Sequence, residues 1–208
     1  YCLWIGDCPP DVLKNMPQTL KRVEAVRQFR LASKSSQTIK LAETPRRFHV
    51  ENMPQGTYII IPKVSSEKRK YIPLGFLDEN TLCSDLVFLI PNATLYHFGI
   101  LTSIVHMAWM RAVAGRLEMR YRYSKDIVYN NFPWPEPSEK QKEDIEKAAK
   151  AVLEARELFP DSSLADLYNP LTMPPELVKA HNNLDRTVIT AYGIKGLKTE
   201  TEIVSVLN

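Results

Sequence analysis

Asn130-Asn131-Phe132-Pro133-Trp134-Pro135-Glu136-Pro137 is the stretch on which the reading of this chain turns. Three prolines in alternation neither continue a helix nor donate to a central strand. The segment is therefore expected to run extended and stiff, with Phe132 and Trp134 packing it against the body. On its C-terminal side the pattern is helical. Ser138 stands as an N-cap with Gln141 three residues on, a capping box, and Ile145, Ala148, Ala149, Val152 and Leu153 recur at helical spacing to about Phe159. Asp161 is placed to cap a short helix bearing Leu164, Leu167 and Tyr168. Pro174 or Pro175 opens a third helix with Leu177, Ala180, His181, Leu184 and Val188 on one stripe, and Gly193 is placed to end it. Residues 199–207 are weakly amphipathic.

On the N-terminal side the pattern is mixed. Residues 18–32 read as an amphipathic helix with Leu20, Val23, Val26 and Leu31 inward and Lys21, Arg22, Arg27 and Arg30 on the outer face. Residues 57–64 and 71–77 read as strands around a polar, basic turn at 65–70, and 86–90 as a third strand. Residues 98–117 read as one buried helix, and 120–129 are β-prone, with Tyr121 and Tyr123 on one side and Arg120 and Arg122 on the other. The architecture expected is α+β. A recognition domain over residues 1–134, built on a mixed, largely antiparallel sheet, is followed by a small helical domain over 135–208.

Composition narrows the class. Among 208 residues, 44% are apolar and 25% charged, ordinary for a globular chain and incompatible with a wholly disordered one. The longest apolar runs are far shorter than the ~20 residues of a membrane-spanning helix, and no basic-then-apolar leader opens the chain, so the expectation is a cytoplasmic protein with no membrane partner. The start, Tyr1-Cys2-Leu3-Trp4, reads as the interior of something longer. Cys2, Cys8 and Cys83 make no disulfide framework; Cys2 and Cys8 either pair or stay free thiols. The four histidines stand at no metal-ligand spacing, so no metal is expected.

Charge is divided along the chain. Residues 1–134 carry 18 Lys and Arg against 11 Asp and Glu, whereas residues 135–208 carry 9 against 13. A basic part joined to an acidic part fits one of them facing a polyanion, or two surfaces that merely differ. Catalytic patterns are missing. There is no phosphate-binding glycine loop and no G-x-S-x-G elbow. Cys8-Pro9-Pro10-Asp11 holds a double proline without the flanks of a [DNS]-P-P-[YFW] methylation tetrapeptide, and Pro160-Asp161 is followed by no nuclease pattern. His181 and Asp185, four apart on a helix, form either a catalytic pair or a local hydrogen bond. The chain reads as a recognition module, with no catalytic residue of its own and no cofactor on this segment.

Two segments carry candidate contacts with DNA. If residues 116–125 run extended, Glu118, Arg120 and Arg122 share a face. Arg donates two hydrogen bonds to guanine O6 and N7, and Glu accepts from cytosine N4, so such a couple reads one G·C pair in the major groove; the other reading is a mutual surface salt bridge. The turn Ser65, Ser66, Glu67, Lys68 and Arg69 suits phosphate contacts or forms a solvated hairpin tip. Arg46 and Arg47 are a weaker case of the same kind.

These residues lie in a wider resemblance. Ser65-Ser66-Glu67-Lys68-Arg69 with Tyr71-Ile72-Pro73, Phe98-Gly99-Ile100-Leu101-Thr102-Ser103 with His106-Met107-Ala108-Trp109, and Arg122-Tyr123-Ser124 occur in order. After them come Val128-Tyr129-Asn130-Asn131-Phe132-Pro133-Trp134-Pro135, Leu164-Ala165-Asp166-Leu167-Tyr168, Met173-Pro174-Pro175-Glu176-Leu177 and Ala180-His181-Asn182-Asn183-Leu184-Asp185. Together they resemble the C-terminal part of the MmeI-type restriction–modification enzymes and related adenine-specific DNA methyltransferases. The resemblance implies a target-recognition region for double-stranded DNA in a parent chain whose S-adenosylmethionine-dependent catalytic domain lies upstream and is the module's second partner. It implies base readout by Glu118 and Arg120, with Arg122 influencing a neighbouring base, and a further reading site for which Lys63, Glu67 and Asp85 are candidates. Phe132, Trp134, Tyr168 and Leu184 match positions that look structural. The alternative function is a protein-docking or specificity-subunit-like module without DNA readout of its own.

Overall fold

The computed structural model of the protein describes residues 2–51, 54–194 and 199–207. It divides into two compact units, residues 1–53 and 54–208. In the first, α1 (Pro10–Lys14), α2 (Pro17–Leu31) and α3 (Ser36–Lys40) are followed by a 3₁₀ turn, Leu41–Glu43. The helix expected over 18–32 forms, but its inward stripe does not: Leu20, Val26 and Leu31 are exposed, and α2 fully buries no residue. Leu20, Val23, Val26, Phe29 and Leu31 spread over more than half the circumference at 3.6 residues per turn. Arg30 does not join the outer basic face. Its guanidinium donates to the carbonyls of Leu41 (2.8 Å), Thr44 (2.9 Å) and Arg47 (2.7 Å), and ties the helix to the following loop.

The second unit is α+β. β1 (Tyr58–Pro62) lies between β3 (Gly75–Leu77) and β4 (Val87–Pro91) in one antiparallel sheet, and β2 (Val64–Ser65), β6 (Arg120–Arg122) and β5 (Gly115–Leu117) form a second in the order β2-β6-β5. Lys63 joins the two ladders. Its N–H donates to the Leu86 carbonyl and its C=O accepts from the Tyr123 N–H, both at 2.9 Å.

The single helix expected over 98–117 is instead α4 (Leu95–Leu101), α5 (Ile104–Val113) and then β5. Ser103 breaks it, its hydroxyl capping the restarted helix at the His106 N–H. Asp185 fixes the break from outside, Oδ1 accepting from the Ile104 N–H at 2.8 Å. Beyond β6 the backbone makes one π-helical turn, Lys125–Tyr129, before the proline connector. Phe132 is buried there, edge-on to His106 with ring centres 4.6 Å apart, and Tyr192 donates to the Pro133 carbonyl at 2.8 Å.

Then come α6 (Glu139–Glu157), α7 (Leu164–Leu167), α8 (Pro175–Ala191) and α9 (Glu200–Leu207). The Ser138–Gln141 capping box forms as expected. Ser163, not Asp161, caps α7, because its hydroxyl and Asp166 complete a reciprocal box. Gly193 follows α8 with φ +70°. The core is continuous from Ile59 and Ile61 through Phe98 and Met107 to Ile145, Leu184 and Ile203. α4 approaches α6 most closely at Gly99, where a Cβ would stand 2.8 Å from Ile145 Cγ2 and 3.2 Å from Ala149 Cβ.

A buried polar joint runs through this core. Arg156 on α6 donates to the Leu74 carbonyl (2.7 Å) and to the Tyr168 hydroxyl (3.0 and 2.5 Å), and that hydroxyl lies 2.7 Å from His181 Nε2. Tyr71 stacks on the His181 ring and donates to Asp185 Oδ2 at 2.6 Å. His181 and Asp185 are therefore held by different partners rather than by each other. No helix among the described residues is long and apolar enough to cross a membrane.

Two outcomes follow for stability. Gly99→Ala is expected to cost ~1–3 kcal/mol by overpacking the α4–α6 crossing, read as a lower denaturant midpoint at unchanged m-value. Acid should act through two imidazoles. Burial lowers His106 to about 3, and burial, with Arg156 and Lys70, holds His181 well below its ordinary value. Below pH ~6.5 the unfolded chain takes up protons that these rings refuse, so stability decreases as pH drops through the window between that value and the folded-state values. Asp185, raised chiefly by burial, offsets part of the loss only at the acid end. From pH 7 to pH 5 the unfolding free energy should drop by about 2 kcal/mol through His106, with His181 acting in the same direction, and His106→Gln should flatten that slope.

Candidate nucleic-acid interface

β5 and β6 form a tight hairpin in which Leu117 pairs with Arg120, leaving Glu118 and Met119 as its loop. One face of β6 is aromatic and buried, through Tyr121 and, just beyond, Tyr123. The hydroxyl of Tyr123 lies 3.0 Å from His106 Nε2, and burial raises its pKa. Period-two alternation then turns Arg120 and Arg122 outward. Arg116 supports the tip from the other strand, its guanidinium 3.7 Å from the Tyr121 ring centre and bonded to the Met119 carbonyl.

Glu118 is not extended as the spacing assumed. It has φ +57°, in the left-handed region, at the turn. From there its carboxylate still reaches Arg120, Oε2 to Nη2 at 2.7 Å, with side-chain exposures of 75% and 47%. Carboxylate and guanidinium thus stand side by side in solvent, an ion pair worth ~0–1 kcal/mol in this state.

The second candidate segment arrives beside the first because β2 pairs with β6, Val64 opposite Arg122 and Ser65 opposite Tyr121. That register sends Ser65 to the aromatic, inner face, where it is buried and its hydroxyl has no partner among the described residues; it is not displayed for a phosphate. Ser66 builds the turn instead, its hydroxyl accepting from the Lys68 N–H. Lys68 is exposed, and Glu67 and Arg69 are half-buried. Arg111 on α5 braces this loop, donating to the carbonyls of Arg69 (3.0 Å) and Lys70 (2.9 Å) and pairing with Glu200 on α9. Lys63 lies with Nζ 5.0 Å from the Phe88 ring centre. Asp85, exposed, precedes the Leu86 whose carbonyl meets the Lys63 N–H.

Arg46 and Arg47 belong to the other compact unit and are engaged within it. Arg47 pairs with Glu51 at 2.7 Å and with Asp7 at 2.5 Å, hydrogen bonds that raise its pKa, and Arg46 donates to the Cys8 carbonyl. The three cysteines are free. Among the described residues no group of three or more His, Cys, Asp or Glu is gathered to hold a metal.

The sequence reading missed Met119. It is 71% exposed at the hairpin tip, between the two charged candidates, beside exposed Leu117. A bare apolar side chain between Glu and Arg at a turn is the signal that marks it. Such a group makes apolar contact with a thymine methyl where its neighbours hydrogen-bond base edges.

Residues 1–136 match the family described as MmeI, target recognition domain, and residues 137–208 the family described as MmeI, C-terminal domain. DNA methyltransferase A of Bacillus subtilis (strain 168) is 42% identical over 207 residues, covering 100% of this chain and 23% of that protein. A solved structure of the type IIL restriction-modification enzyme MmeI in complex with DNA matches with a TM-score of 0.94 at 47% identity, over 99% of this chain and 28% of that one. The chain thus spans about a quarter of the length of either relative.

The left-handed Glu118 yields a direct test. Glu118→Gly removes a Cβ from a conformation that disfavours it. It is expected to leave stability unchanged or raise it by up to ~1 kcal/mol, measured by urea unfolding.

Proposed function

The chain belongs to the MmeI family, residues 1–136 to its target recognition domain and 137–208 to its C-terminal domain, and we propose that it is the double-stranded DNA-recognition module of a restriction–modification methyltransferase. One observation carries the reading: Glu118, Arg120 and Arg122 stand exposed on a hairpin whose neighbouring strand leads into the basic 65–70 turn. In this reading Arg120 donates to guanine and Glu118 accepts from the paired cytosine in the major groove. Arg122 contacts an adjacent base, and Lys68 and Arg69 set the register on phosphates. Lys63, Glu67 and Asp85 remain the candidates for a further reading position. Arg46 and Arg47 are the weaker phosphate candidates, since both side chains already have partners within their own compact unit.

The division of labour is proposed likewise: residues 1–134 recognise and residues 135–208 brace them. The parent would transfer a methyl group to the N6 of a flipped adenine. S-adenosylmethionine would be held by a catalytic domain outside these 208 residues and supply that methyl group. A second reading, docking of another protein surface, is favoured by α2, whose Phe29 is 77% exposed beside exposed Val26, with Leu20 and Leu31 exposed on the opposite side of the helix. The catalytic domain of the parent is the surface proposed to cover it.

The test is the double swap Glu118→Lys, Arg120→Asp in the full-length parent. Exchanging acceptor and donor should invert one recognised base pair while methylation persists, as read by sequencing the methylated sites. An unaltered site would leave the pair as a surface salt bridge and overturn the readout.

A further inference from the structure

Lys70, at the end of the basic turn, reaches away from the hairpin to α8. Its Nζ lies 3.4 Å from Asn182 Oδ1. Asn182 lines a groove of about 590 Å³ with Met173, Val178, Lys179, Asn183 and Arg186. Lys179, Asn182, Asn183 and Arg186 recur at three and four residues, so they form one stripe on the exposed side of α8. Among the described residues no carboxylate lines the groove. Asp185 of the same helix is turned inward onto Tyr71 and the Ile104 N–H. Glu176, in the first turn, makes no ion pair with Lys179 among the described residues, and neither Lys68, Arg69, Lys70 nor Arg186 has one. Lys179 and Arg186, neither in an ion pair among the described residues, and two side-chain amides thus border one concave surface on the part of the chain whose overall charge is acidic, and Lys70 of the basic 65–70 turn reaches its edge.

We infer that the groove along α8 is a second nucleic-acid contact, which holds the phosphodiester backbone of the duplex beyond the base-reading hairpin, with Lys70, Lys179 and Arg186 on phosphates and Asn182 and Asn183 donating to phosphate oxygens. The inference rests on the DNA-recognition reading above and extends it to the helical C-terminal region. Ammonium, guanidinium and amide groups on a helix stripe are the donors that position a protein on DNA without reading sequence. Local positive potential in a concave site concentrates a polyanion there.

The test uses the full 208-residue chain and a labelled mixed-sequence DNA duplex, titrated at several salt concentrations. Each phosphate left without its cation lowers the log–log salt slope by about one. Lys179→Gln/Arg186→Gln, two exposed positions, should lower the slope by about two and weaken binding roughly 10-fold at low salt, equally for any sequence. Lys140→Gln/Lys150→Gln, on the exposed face of α6, should change neither. An unchanged slope in the α8 variant, with salt-dependent binding by the unaltered chain, overturns the α8 contact and leaves the hairpin reading standing. Absence of duplex binding by the unaltered chain overturns both. If the variant instead keeps its duplex affinity and loses binding to polyglutamate, the groove serves an acidic protein and the inference fails.

Discussion

The second compact unit depends on a guanidinium that has no carboxylate. Arg156 is buried at the end of α6, between the Leu74 carbonyl and the Tyr168 hydroxyl, with the Phe98 and Tyr168 rings about 5 Å from its charge. Cation–π attraction and three hydrogen bonds substitute for the water it gave up. Removing any one acceptor leaves a buried donor unmet, which costs more than a typical hydrogen bond contributes. The arrangement also explains why residues 71–74 leave the strand conformation between the basic turn and β3. Tyr71 and the Leu74 carbonyl are drawn to α8 and α6 rather than to a neighbouring strand. Sheet and helices therefore share one core, although the proline connector divides them in sequence.

The connector, the capping box at Ser138 and the stripes of α6 and α8 were legible from spacing alone, because each is a local signal read within a few residues. Of the strands expected from apolar runs, 86–90 forms as β4, whereas 57–64 divides into β1 and β2 of different sheets and 71–77 is strand only over Gly75–Leu77. What was not legible depends on partners distant in sequence. The break at Thr102-Ser103 lies inside an unbroken apolar pattern, and the carboxylate that stabilises it comes from Asp185, on another helix. Arg30 looks like any surface arginine until the 41–47 loop folds over it. The buried half of α2 failed to materialise because apolar residues surround that helix on most sides.

At the interface, the alternation that turns Arg120 and Arg122 outward was visible in the sequence; the left-handed turn at Glu118 was not. Strand periodicity carried Glu118 onto the shared face, whereas in the structure a reversal of the chain brings it there. The two routes deliver the same neighbours with different constraints. An extended Glu118 would be fixed by its ladder, while a turn residue keeps its side chain and loses some backbone comfort. Burial of Ser65 was equally invisible, since it follows from its register opposite Tyr121.

Lys63 has a further consequence. One residue belongs to both ladders, with donor and acceptor engaged on opposite sides. The parity of side chains in β1, where Ile59 and Ile61 face the core, is thereby transmitted to Ser65 and across to Tyr121. A single-residue insertion between Ile61 and Ser65 would reverse that parity and turn Ser65 away from the inner face it shares with Tyr121. Insertions within 66–70 would not, because that loop is fixed by side-chain braces rather than by a ladder. The loop thus tolerates added length that the strand feeding the hairpin does not.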